Sequence, residues 1–186
     1  MKNVQVAGHK TADDPVGILW KVLQDRVSTD GGLGGLTDKE KVFFALYVLG
    51  GEVYNGGAHQ FFSNCPAEVF TEVYRGLALL KEQETLDLLN EAGDILFEDG
   101  KVPTDLGSRN DRIKQCDAGD NEPMPEWVVA IGRIDRALRT ALDKGGANLL
   151  ELAKQCGLVK GTMCVVQRRD DPTGDSPAPA GDVPAE

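Results

Sequence analysis

E-V-Y-N-G-G-A-H-Q-F-F-S-N, residues 52 to 64, decides how this chain is read. An apolar segment of helical period runs up to it and is broken by Asn55-Gly56-Gly57. Amides and aromatics follow, and helical spacing resumes after Pro66. An ordinary helix–turn–helix corner needs one Gly or one Asn, because a single left-handed residue ends a helix. So many special residues in so few positions predict a tightly built corner. Asn55 and Gly56 suit left-handed backbone, and Gly57 lets two segments approach closely. Glu52 lies near a helix C-terminus, where the dipole disfavours an anion, so it needs a partner such as the free amides of the next short helix. That short helix carries Gln60, Phe61 and Phe62. Gln60 and Asn64 combine donors with an acceptor and suit tying loop backbone.

Thr37-Asp38-Lys39-Glu40 is a capping box. It opens a helix whose stripe is Val42, Phe43, Leu46, Leu49 and Val53. Upstream, Asp14-Pro15 starts a helix with Ile18, Leu19, Val22 and Leu23 at helical spacing through about Val27. Gly31 to Gly35 reads as a flexible connector; it lacks the GxGxxG pattern and follows no strand, so a phosphate loop is rejected. Downstream, one helix after Pro66 presents Val69, Phe70, Val73, Leu77 and Leu80. Another, from about Glu84 to Glu98, turns Leu88, Leu89, Ala92, Ile95 and Leu96 inward. Gly100 to Pro125 reads as a long loop. Trp127 to Leu142 is helical, with Val128, Ile131, Ile134, Leu138 and Leu142 on one side, and Leu149 to Cys156 is a last short helix. Met163 to Val166 is the one brief run with the look of a strand, and no repeat is visible. The expectation is a single compact all-α domain: residues 1–35 an N-terminal helix and connector, 36–160 the helical body, and 161–186 a disordered tail rich in Asp, Pro, Gly and Ala.

The chain has 186 residues, 41% of them hydrophobic and only 6% aromatic, so Leu, Val, Ala and Ile fill most of one core. Its net charge of −10 repels nucleic acid and anionic membrane and attracts basic proteins. Cys65, Cys116, Cys156 and Cys164 show no CxxC spacing, and there are two histidines; neither a metal site nor any other cofactor is expected. No signal peptide or spanning apolar run is present, so the expected location is a reducing cytoplasm.

The corner has a structural reading and two functional ones. A ligand pocket would draw on Glu52, Asn55, His59 and Gln60, and a catalytic pair would join His59 to Cys65 or Glu52. No third, orienting group is evident, so no residue is assigned as catalytic. A second feature is acidic. Glu84, Asp87, Glu91, Asp94 and Glu98 fall within an arc of about 80° at 100° per residue, opposite the apolar side. They are spaced by roughly 5 Å along the axis, against about 3.4 Å between phosphates of one DNA strand. Like charges at these spacings each cost a helix about 0.2–0.5 kcal/mol. A rule broken repeatedly in one direction shifts the reading from a solvated face toward a use. Arg133, Arg136 and Arg139 share one side of the later helix, and Lys144 follows. They serve solubility, or pair with the acidic helix within the molecule or across a homodimer.

The segment Leu36 to Asp99 resembles the family typified by a bacterial DNA-mimic protein. Its pattern is a capped helix leading into E-V-x-N-G-G-F-x-Q-F-F-x-N, here Glu52, Val53, Asn55, Gly56, Gly57, Gln60, Phe61, Phe62 and Asn64, with Ala58 where Phe is common. The resemblance implies an all-α domain. In the typifying member an acidic surface occupies the DNA-binding face of a transcription factor. The leading expectation is thus a non-enzymatic module whose stripe, Glu84, Asp87, Glu91, Asp94 and Glu98, imitates DNA charge toward a basic partner such as a transcription factor. The corner holds the scaffold. The alternatives are a small-ligand protein or enzyme at the corner, and an inhibitor of a basic toxin or nuclease.

Overall fold

From Val42 to Tyr47 every residue is buried. A helix lying on a surface buries only one stripe, so this segment has neighbours on all sides. It belongs to α2 (Asp38–Asn64), the central element of a computed structural model that describes residues 14–29, 31–97, 100–116 and 126–156. Around it stand α1 (Pro15–Thr29), α3 (Ala67–Leu80), α4 (Gln83–Leu96), α5 (Leu106–Cys116) and α6 (Glu126–Gln155). The chain is all-α, a compact helical domain with no strand among the described residues. α2 packs chiefly against α6 and α3, and α4 lies on α6. Residues 1–13, the expected tail with its Met163–Val166 run, and Glu98 lie outside the described residues.

The capping box forms. Glu40 N–H donates to Thr37 Oγ1 at 3.4 Å, and Thr37 N–H donates to Glu40 Oε2 at 2.8 Å. Arg26 of α1 adds a 2.6 Å bond to the same carboxylate, fastening α1 to the start of α2. Partial burial pushes the Glu40 carboxyl up, but the Thr37 and Arg26 contacts outweigh it and hold it below its ordinary pKa. A carboxyl held low in the folded state adds stability above its unfolded pKa and loses it as pH falls through the folded one. Glu40→Gln is therefore expected to lose less stability than the parent chain on acidification from about pH 5 to pH 3. Urea midpoints across that range check it, and parallel curves would refute it.

Trp20 stacks on Phe44 and Tyr47 at 4.9 and 4.4 Å between ring centroids, placing α1 in the same core as α2. Within α1, Val16, Leu19 and Leu23 are buried, whereas Ile18 and Val22 are each 41% exposed; the inward stripe is rotated from the expected one. A second aromatic cluster fills the junction of α2, α3 and the end of α4. Phe62 meets Phe61, Phe70 and Phe97 at 5.3, 6.0 and 5.6 Å. Val69, Phe70, Val73 and Leu77 of α3, and Leu89, Ala92 and Leu96 of α4, point inward as the spacing predicts, with Leu80, Leu88 and Ile95 at the core's margin.

Three expectations are corrected. The Gly31–Gly35 connector is a packed turn: Leu33–Gly35 form a 3₁₀ helix, with Leu33 and Leu36 buried. The loop from Gly100 to Pro125 contains α5, whose inward side is Arg109 and Ile113. The two late helices are one 30-residue helix, α6. Gly145-Gly146 costs it about 1 kcal/mol per residue in propensity, but packing against α4 and α2 carries the helix through.

Candidate functional site: the helix corner and the acidic face

The corner is a kink, not a reversal. Inside α2 only Gly56 (φ −152°, ψ 16°) and Gly57 (φ 76°, ψ −168°) leave helical geometry, and helix continues on both sides. The interruption frees a carbonyl on the first half and an N–H on the second. Both are met by α6, from residues one turn apart. Asp135 Oδ1 accepts from Ala58 N–H at 2.7 Å, and Arg139 Nε donates to Val53 O at 3.3 Å. An anion thus faces a helix N-terminus and a cation a C-terminus, as the backbone dipoles favour. One turn further, Asp143 accepts from the Tyr54 hydroxyl. Burial of the phenol, and after it that bond, push the Tyr54 pKa up to about 12.

Glu52 finds a different partner from the one expected. Its Oε2 accepts from Gln60 Nε2 at 2.8 Å and from Asn64 Nδ2 at 3.0 Å, so side-chain amides compensate it and the free backbone amide goes to Asp135. Gln60 and Asn64 correspondingly tie a carboxylate, not loop backbone. The Gln60 side chain lies over Gly56, where a Cβ would overlap it. Phe61, Phe62 and Ala58 are fully buried, and Asn55 is exposed.

Beyond the kink, Arg109 of α5 is completely buried. Its guanidinium donates to Phe62 O at 2.9 Å, to Pro103 O at 3.0 Å, to Thr104 O at 2.6 Å and to Cys65 O. It also lies 4.5 Å above the Phe70 ring. The end of the family pattern is therefore clamped by α5.

This arrangement does not assemble the ligand or catalytic sites considered for the corner. Glu52 and Gln60 are bonded to each other. His59 is half-buried and stacks on Trp127 with centroids 6.2 Å apart. Burial pushes the Cys65 thiol up to about 12, so it is no thiolate at neutral pH. Among the described residues no group of His, Cys, Asp and Glu is placed to hold a metal ion, and no helix is long and apolar enough to cross a membrane.

On α4, Glu84, Asp87, Glu91 and Asp94 are all exposed, on the side opposite buried Leu89, Ala92 and Leu96. Glu84 pairs with Lys144 of α6 at 3.0 Å, both largely in solvent. Asp87 accepts from Gln83 Nε2 at 2.7 Å. Glu91 and Asp94 form no ion pair among the described residues. Arg133 and Arg136 are exposed on α6 and form no ion pair with this row among the described residues, and Arg139 is committed to the corner. Carboxylates only narrowly outnumber Lys and Arg among the described residues. Most of the net charge of −10 belongs to the other segments, so the row on α4 is a local concentration of charge.

The chain matches the model of the DMP19-like protein family over residues 34–153 and belongs to that family, named for DNA mimic protein 19. The match takes in the corner, α4, α5 and most of α6, well beyond the Leu36–Asp99 segment that carries the resemblance in the sequence. No curated protein and no solved structure matches the chain.

Proposed function

We propose that this chain is a protein-binding module that presents the carboxylates of α4 to a basic, nucleic-acid-binding partner in place of DNA. The observation that carries the reading is the placement of Glu84, Asp87, Glu91 and Asp94 in solvent on one face of a helix whose other face is buried. Packing fixes the row, so little conformational entropy is lost when a partner meets it. Membership of a family named for a DNA mimic supports the same reading. The corner motif acts as scaffold: its Glu52 carboxylate, the Gln60 and Asn64 amides and its aromatics are engaged with one another and the core.

The test combines substitution with salt. Asp87→Asn, Glu91→Gln and Asp94→Asn together remove three charges while conserving shape. Exposed ion pairs contribute about 0.2–1 kcal/mol each, so affinity for a captured DNA-binding protein should fall about 3- to 150-fold. The parent complex should weaken steeply with salt and yield to duplex DNA as competitor. Unchanged capture by the triple variant would remove the proposal.

A further inference from the structure

A cleft of about 50 Å³ opens between α3, α4 and α6, lined by Leu77, Leu80, Leu142, Leu149, Gly145 and Gly146. It adjoins the acidic face. Glu82, just before α4, lines it and accepts from Asn148 Nδ2 at 2.5 Å, and the Glu84–Lys144 pair stands beside it. The two glycines differ in what they explain. A Cβ on Gly145 would press on the Glu82 carboxylate at 3.2 Å, so close packing accounts for it. A Cβ on Gly146 would meet nothing within 4 Å. Glycine in mid-helix costs about 1 kcal/mol against alanine, and at Gly146 no contact within the protein repays that. Gly50 and Gly132 are as open in their helices, but of these three glycines Gly146 alone lines the cleft, where its missing side chain leaves space over leucines.

We infer that the cleft receives one aliphatic side chain, flanked by Lys or Arg, from the same basic partner whose cations meet α4. The inference rests on the α4 reading for the charge of the flanks. The cleft supplies what a row of carboxylates lacks: an apolar contact that salt does not screen and that distinguishes one basic protein from another. DNA charge would be imitated by α4, while the choice of partner would lie partly in the cleft.

Two nonapeptides of alternating Arg and Lys, identical but for a central Leu or Gly, separate these contributions. Against the full chain, by fluorescence anisotropy, the Leu peptide should bind about tenfold tighter. That ratio should hold as salt weakens both peptides. Gly146→Leu fills the cleft and raises helix propensity, so the fold is kept. It should abolish the Leu preference and leave Gly-peptide binding and its salt slope unchanged. The Asp87, Glu91 and Asp94 triple variant should do the reverse, weakening both peptides and flattening the slope while preserving the ratio. Equal binding of the two peptides by the parent chain, or a preference surviving in G146L, overturns the cleft proposal and leaves the α4 reading intact. Binding indifferent to the triple substitution sinks the α4 reading and the charged flanks with it. A G146L variant that changes only the sedimentation coefficient assigns the cleft to a second copy of the chain, which also overturns the proposal.

Discussion

Gly57→Ala is expected to destabilise the fold by about 3 kcal/mol, from backbone strain of about 1–3 kcal/mol and the loss of a cap worth about 0.5–2 kcal/mol. Gly57 holds φ 76° and ψ −168°, a region that side chains with a Cβ essentially do not enter. A Cβ there would also overlap the Asp135 carboxylate, displacing the acceptor of the Ala58 N–H and reopening the helix start that α6 covers. The same helix offers an internal control. Gly50 lies in regular helix, and a Cβ on it meets nothing within 4 Å. Gly50→Ala should therefore stabilise the protein by up to about 1 kcal/mol through propensity alone. Urea unfolding of the two variants should move in opposite directions. A Gly57→Ala midpoint equal to that of the parent would mean that the kink is not held by Asp135.

The parts of this fold written in local chemistry were legible. Thr37 and Glu40 are three positions apart and cap each other whatever surrounds them, and the stripes of α3 and α4 announce themselves by period. What escaped depended on placement in space. Glu52 was expected to draw on backbone amides, but that role passed to Gln60 and Asn64 because Asp135, 77 residues beyond Ala58, had taken the free N–H. Even so a signal existed: Asp135, Arg139 and Asp143 recur every fourth residue with alternating sign, as a helix must if it serves both ends of a break in its neighbour. Local propensity divides α6 at Gly145-Gly146, whereas the inward leucines, Leu138, Leu142, Leu149 and Leu152, continue across the gap. α5 is hidden for a related reason. Its core position is an arginine, and hydrophobic periodicity cannot register a buried cation. For the acidic row the angular arc is legible in the sequence, whereas its exposure and the pairing of Glu84 with Lys144 depend on how α6 lies against α4.

Arg109→Met should have the largest effect, about 3–5 kcal/mol, because it removes a cation on which four carbonyls depend. Methionine approximates the arginine's stem, so apolar volume is largely conserved while every hydrogen bond is lost. The Phe62 and Cys65 bonds are the buried ones, and an unpaired buried carbonyl costs about 1–3 kcal/mol. The contact with the Phe70 ring adds about 0.5–2 kcal/mol. For a domain of this size the loss corresponds to a fall in Tm of about 10 °C. Burial pulls the Arg109 pKa down, with Cys65, Asp105 and Tyr74 acting against that, and it starts high enough for the cation to persist at neutral pH. Arg109→Lys is the discriminating companion. An ammonium keeps the charge but has three donors on a single atom and cannot span carbonyls on opposite sides of a planar fork. It should recover less than half of the lost stability; full recovery would show that charge, not the fork, does the joining. A loss below about 1 kcal/mol in the methionine variant would refute the clamp outright. Because Pro103 and Thr104 lie in the segment that follows α4, the clamp anchors the acidic helix from behind without touching its outer face. Below its lowered Tm, Arg109→Met should therefore bind a basic partner with the parent's salt slope, whereas neutralising Asp87, Glu91 and Asp94 should flatten that slope without lowering Tm. Opposite loss of stability and of binding in the two variants is what separates a scaffold from the face it presents.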